Sequence, residues 1–159
     1  MKEGSFPLIL FSHGYTAFSE CNSDLCQYLS EHGHIVASVS HTYEAIETVF
    51  SDGSTAAFKK SLYFKMFSPF IPGLMKQSAL LKKELTAQEA LKELDSYQAR
   101  YSQFMTKRIK EWAKDGCLAI KKIHELNEDE SSFLYHKVDF SGGVGSTGHS
   151  FGGAEAYYH

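Results

Sequence analysis

The sequence predicts an α/β fold, a mostly parallel sheet flanked by helices, and three observations carry that reading. A continuous apolar run, Pro7-Leu8-Ile9-Leu10-Phe11-Ser12, closes on His13-Gly14, as expected of a strand buried on both faces of a parallel sheet. A helical stretch and a second apolar run, Ile35 to Ser40, follow it directly, which is the order of a βαβ unit with a right-handed crossover. Near the C-terminal end, Gly148-His149-Ser150-Phe151-Gly152 sets one serine between two glycines, the spacing of a sharp strand-to-helix turn.

The elements follow in order. Between Ser19 and His32, Leu25, Cys26 and Leu29 fall on one helical stripe, and Gly33 is placed to end that helix in a left-handed conformation. Residues 51–75 change character, mixing Gly and Pro with Phe58, Tyr63, Phe64, Met66, Phe67, Phe70, Ile71, Leu74 and Met75. They read as a helical or irregular aromatic insertion rather than a sheet strand. A lid or a pocket wall is the ordinary use of such residues. Because Lys59, Lys60, Lys65 and Lys76 are interleaved with the aromatics, contact of residues 58–75 with a membrane surface is the alternative. Thr86-Ala87-Gln88-Glu89 has the form of a capping box. It opens a helical pattern that continues to Leu126 through Leu91, Leu94, Tyr101, Phe104, Trp112, Leu118, Ile120 and Ile123, with Gly116 as a candidate break. Residues 127–136 read as a polar loop, and no internal repeat is present.

At 159 residues and 43% hydrophobic content the chain can bury the core of one domain, and a second full domain does not fit. The formal net charge of -3 leaves no electrostatic footprint for nucleic acid, so the expected partner is a small molecule. The odd set Cys21, Cys26 and Cys117 is no disulfide framework; it favours a reducing, cytoplasmic setting. Met1 to Pro7 lacks the pattern of a secretory signal, and no apolar run has the length to span a bilayer.

The chemistry is concentrated at Ser150. In the G-x-S-x-G elbow the serine occupies a strained turn that holds its hydroxyl clear of the backbone, and the glycines give strand and helix the room to approach. The N–H of Phe151 would then point at a developing oxyanion. Tyr15, after the His13-Gly14 turn, is the candidate for the second donor.

These residues resemble the platelet-activating-factor acetylhydrolases, of the plasma and intracellular type II kind, within the α/β-hydrolases. The resemblance is carried by Phe6 to Gly14, by Glu31 to His41, by Arg108, Asp115 and Leu126-Asn127, and above all by Gly148-His149-Ser150-Phe151-Gly152-Gly153-Ala154. It implies an α/β-hydrolase fold and hydrolysis of a short or oxidised acyl chain from a phospholipid through an acyl-serine, with no metal and no cofactor. By that likeness Ser150 is the nucleophile, Tyr15 and Phe151 the backbone oxyanion donors, and Gly148 and Gly152 the elbow glycines.

Several features depart from the pattern. After Ser150 come only residues 151–159, with His159 their one histidine, whereas in this fold the acid and the histidine follow the nucleophile. The expectation is therefore a single incomplete domain over 1–159, cut at both ends, whose acid and base lie beyond residue 159 and which is inactive alone. Glu155 reads as a surface or helix-start charge, His13 and His149 as braces for their loops, His41 as a lining residue at its strand end, and His124 and His136 as surface residues. Ser141 to Thr147 is poor in branched apolar residues for a strand and nearly matches a phosphate loop, with His149 where the lysine belongs. The readings left open are a general esterase of the same fold and a non-catalytic module that binds lipid or a partner. A dienelactone-hydrolase-like activity would prefer cysteine at position 150. Oligomeric state is not legible.

Overall fold

The computed structural model describes residues 4–80, 82 and 86–158. Its elements in chain order are β1 (Phe6–Ser12), α1 (Ser23–Glu31), β2 (Ile35–Val39), β3 (Glu47–Val49), β4 (Thr55–Ala57), α2 (Lys60–Leu80), α3 (Ala87–Glu128), β5 (Val138–Asp139), β6 (Gly145–Gly148) and α4 (Phe151–Ala156). The chain divides into two compact units, one of residues 4–58 with 109–158 and one of residues 59–108.

In the first unit β1 is the central strand. β2 runs parallel to it in the register Leu8 to Ile35 through Ser12 to Val39. Its other edge takes β5 at Phe6 and Pro7 and β6 from Ile9 to Ser12, both also parallel. Leu8, Leu10, Phe11 and Ser12 are buried and Ile9 is half-buried, so the predicted interior strand is found where the apolar run lies. The helix between β1 and β2 is shorter than its predicted span. Asn22 stands at its N-terminus with φ 67, and it closes through the His34 N–H on the Leu29 carbonyl (3.2 Å) with Gly33 at φ 87, the left-handed stop anticipated there.

β5 and β6 form one interrupted strand. The chain leaves the sheet after Asp139, whose carboxylate accepts the Ser141 N–H (2.8 Å), turns at Gly143 (φ 83), and returns at Gly145. At Gly145 the sheet leaves little room, since a Cβ there would stand 3.3 Å from Ile9 Cγ1, whereas Gly142 and Gly143 face open space. Residues 145–148 being a strand, the phosphate-loop reading is excluded. Asn127 takes the place of a neighbouring strand for β5: its Oδ1 accepts the Val138 N–H (2.8 Å) and its Nδ2 donates to the Val138 carbonyl (3.3 Å).

Sequence punctuation misleads at three places. α2 persists through Pro69, Pro72 and Gly73, although an interior proline removes a helix hydrogen bond, so the insertion is helical there rather than irregular. Gly116 interrupts nothing: it is buried within a 42-residue α3. The antiparallel pair β3 and β4, in the register Thr48 to Ala56, was not anticipated, because three-residue strands carry too little pattern. The capping box does form. Thr86 N–H donates to Glu89 Oε2 (2.9 Å) and Glu89 N–H to Thr86 Oγ1 (3.4 Å), and the Thr86 hydroxyl holds the Glu89 carboxyl below its ordinary range. The side chains of Met66, Phe70, Leu94 and Tyr101, named above, lie outside the described set.

Asn127→Ala is expected to leave the buried Val138 N–H without its acceptor and to lower the unfolding free energy by about 1–3 kcal/mol. A urea melt with unchanged m-value measures it.

Candidate active site

The elbow is built by exclusion. Gly148 ends β6 opposite Ser12, and a Cβ on it would stand 2.4 Å from the Gly152 carbonyl carbon; a Cβ on Gly152 would stand 2.1 Å from the Ser12 carbonyl oxygen. Neither position can carry a side chain without moving backbone. The His149 N–H donates to the Ser12 carbonyl (3.0 Å), and Gly152 N–H returns to the His149 carbonyl (2.9 Å). Between them Ser150 is held at φ 55, ψ −111. That conformation costs a non-glycine residue about 1–3 kcal/mol and persists only where its surroundings over-determine it. Ser150 is exposed, whereas Phe151 and Gly152 are buried.

Facing the elbow is the turn after β1. A Cβ on Gly14 would stand 3.0 Å from His149 Nδ1 and 3.5 Å from Ser150 Cβ, so the turn lies directly against the elbow. The Tyr15 ring meets the Phe151 ring edge-to-face at 5.4 Å. The side chains of Tyr15 and Phe151, the two residues named as oxyanion donors, are therefore in contact next to the elbow. The turn is tied by the Ala17 N–H to the Gly14 carbonyl (2.9 Å), and by the Thr16 N–H to the Glu44 carbonyl (3.0 Å) with Thr16 at φ 64.

Behind the turn is a buried polar cluster. His13 Nδ1 donates to the Gly14 carbonyl (2.7 Å), and its Nε2 accepts the His41 backbone N–H (3.1 Å). A carbonyl can only accept and an amide can only donate, so His13 is neutral and carries its proton on Nδ1. Burial agrees with this: it pushes the His13 pKa below the ordinary 6.5, helped by the His41 ring and opposed by the Gly14 bond and Glu20. The His41 ring reaches Ser12 Oγ with Nε2 (3.2 Å) and donates from Nδ1 to Asp115 Oδ2 (3.0 Å). Trp112 stacks on it at 3.7 Å between centroids, 9° from parallel, and also meets His13, Tyr15 and Phe151.

Three expectations are corrected by burial. His41 is 1% exposed; it is a hub inside the fold, not a lining residue. Glu155, read as a surface charge, is equally buried in α4, where the short helix turns it inward with Phe151 and Gly152. His149 lies exposed against Gly14 and makes no side-chain hydrogen bond among the described residues, so only His13 acts as a brace. His124 and His136 are exposed as expected, and His159 lies outside the described residues. Sequence reasoning missed the contact of Trp112 and Asp115 with His41, although their i, i+3 spacing puts both on one face of α3.

Among the described residues no imidazole is hydrogen-bonded to the Ser150 hydroxyl, and no group of three His, Cys, Asp or Glu side chains could hold a metal ion. The parallel sheet with its glycine-walled serine turn is that of an α/β-hydrolase. The family model of platelet-activating factor acetylhydrolase, isoform II, matches residues 1–158, and the chain belongs to that family of lipid-ester hydrolases. No curated protein matches it.

Gly152→Ala is expected to destroy the elbow, because its methyl would overlap the Ser12 carbonyl. The variant should melt at least about 5 °C lower, a loss of roughly 1 kcal/mol or more; an unchanged melting temperature would refute the close approach.

Proposed function

We propose that the chain carries the nucleophile of a serine-dependent carboxylic ester hydrolase acting on phospholipids with a short or oxidised acyl chain, of the 1-alkyl-2-acetylglycerophosphocholine type. The single observation that supports this most is the exposed Ser150 in a strained turn beside the Gly14-Tyr15 segment. In this reading Ser150 Oγ attacks the ester carbonyl carbon and its proton passes to a base. The tetrahedral oxyanion is received by the N–H groups of Tyr15 and Phe151. The alcohol then leaves with that proton, and water cleaves the acyl-serine. A serine hydroxyl needs such a base and an acid to orient it.

The test uses the full-length product of the gene that carries this chain. A fluorophosphonate probe is expected to label the peptide holding Ser150, and Ser150→Ala to lower turnover of p-nitrophenyl acetate by about 10³-fold or more. Turnover surviving in Ser150→Ala would sink the assignment.

The second unit supports a lipid-facing role in the same function. Phe64, Ile71 and Met75 recur at helical spacing on one side of α2 and are 70%, 55% and 70% exposed. Between Asp52 and Glu84 the sequence has Lys59, Lys60, Lys65, Lys76, Lys82 and Lys83 and no acidic residue. An apolar stripe with basic surroundings suits the surface of an anionic bilayer; no described helix is long and apolar enough to cross one. Phe58 belongs elsewhere, packed on Tyr15 at 5.9 Å in the first unit. Phe64→Ser with Met75→Ser is expected to reduce co-sedimentation with phosphatidylserine vesicles about tenfold while leaving hydrolysis of a soluble ester unchanged. Equal sedimentation of variant and parent would exclude this contact.

A further inference from the structure

The buried His41 is used by nothing in the proposed chemistry, yet it is bonded to residues that fasten the turn after β1. Its backbone N–H donates to His13 Nε2, and its carbonyl accepts the N–H groups of Glu44 (3.0 Å) and Ala45 (2.8 Å). Its ring joins Ser12 Oγ to Asp115. Two of these contacts lead back to the Gly14-Tyr15 segment by different routes, and a third leads to the elbow. His13 holds the Gly14 carbonyl. The turn that begins at His41 presents the Glu44 carbonyl to Thr16, and continues to Ile46, whose N–H holds the Ala17 carbonyl at 2.8 Å. Ser12 is the residue whose carbonyl receives the elbow itself. A peptide fixed at Gly14, Thr16 and Ala17 has little freedom left at Tyr15.

We infer that the His41–Asp115 pair is a positioning device of the ester-hydrolase site, fixing the Tyr15 N–H opposite Ser150 through His13 and the turn at 41–46. The inference rests on the serine-hydrolase reading above and extends it to two residues that touch no reacting atom. Asp115 draws a ring hydrogen of His41 to Nδ1, because a carboxylate oxygen facing an imidazole nitrogen at 3.0 Å serves as the acceptor. With Nδ1–H committed there, and Trp112 lying flat on the ring, the plane of the imidazole is fixed from two directions. Ser12 Oγ and the His41 backbone N–H are then fixed with it. The arrangement matters for rate rather than for substrate affinity, since an oxyanion donor is worth most at the charge that develops in the transition state.

Asp115 is the residue to change. Its side chain is 47% exposed, facing a cavity of about 410 Å³ lined also by Val39, Ser40, Thr42, Tyr43 and Leu118, so its removal should not unfold the protein. In the full-length protein, Asp115→Ala is expected to lower kcat for p-nitrophenyl acetate about 10- to 100-fold with KM altered less than about twofold. Fluorophosphonate labelling of Ser150 should slow by the same factor. Asp115→Asn, whose amide oxygen still accepts from Nδ1, should stay within about threefold of the parent. A measurement that needs no turnover accompanies these. In Asp115→Ala the backbone amides of residues 14–17 are expected to shift and to exchange faster by NMR, while those of Leu8 to Phe11 stay as they are. Unchanged amides at 14–17, or a fall in kcat/KM carried by KM alone, would overturn the positioning role even with Ser150 confirmed as nucleophile. Hydrolysis that survives Ser150→Ala would overturn the site reading, and the inference with it, whatever the amides do.

Discussion

The carbonyl of Ser12 is the point on which the rest of the first unit depends. It accepts the N–H of His149, and it lies so near the elbow that position 152 can hold only hydrogen. A strained serine at φ 55 needs walls on both sides. The wall on one side is β1, the most deeply buried strand, with Leu8, Leu10 and Phe11 all at 2% exposure or less. Burial of that strand is what converts a local turn preference into a fixed geometry, because a buried backbone cannot retreat from a contact without opening the core.

From the same strand end a second set of contacts runs the other way. The Ser12 side chain meets His41, and the next residue, His13, ties the His41 backbone to Gly14. Two consecutive residues therefore couple the elbow, the turn facing it, and the end of β2. Trp112 closes this cluster by its rings. Its Nε1 has no hydrogen-bond acceptor among the described residues, so its contribution is shape and stacking rather than polar fixing. An indole in contact with His13, Tyr15, His41 and Phe151 transmits the position of α3 to all four at once.

What was legible in the sequence follows from how local each signal is. The elbow, β1, β2 and the capping box at Thr86 are each specified within a few neighbouring residues, and each is found where the sequence puts it. Long-range polar contacts were not legible. His41 and Asp115 are 74 positions apart, and nothing in either neighbourhood says that the two side chains meet. Glu155 failed for the same reason: an acidic residue on a short helix reads as exposed until the sheet beneath it is known. α2 was obscured by its prolines, which are strong local signals of interruption but do not by themselves end a helix that carries apolar residues throughout.

The structure holds two serines of opposite character, and their comparison supports the choice of Ser150 in the proposed function. Ser12 has what a nucleophile is usually recognised by, an imidazole at 3.2 Å whose other nitrogen meets a carboxylate at 3.0 Å. It is nevertheless 2% exposed, and its imidazole is sealed by Trp112 at stacking distance. No ester carbonyl can reach it without dismantling the core. Ser150 has no such partner among the described residues, yet it alone is exposed, strained and set beside Tyr15 and Phe151. Access and backbone geometry are properties of the fold and must be built in before any substrate arrives. A serine–histidine–carboxylate chain, in contrast, also satisfies two buried polar groups, Ser12 and His41, through a half-exposed carboxylate. The array at Ser12 is therefore no second nucleophile: the likeness of its connectivity to a catalytic triad reflects hydrogen-bonding capacity, and in the proposal made above it serves the site by position alone.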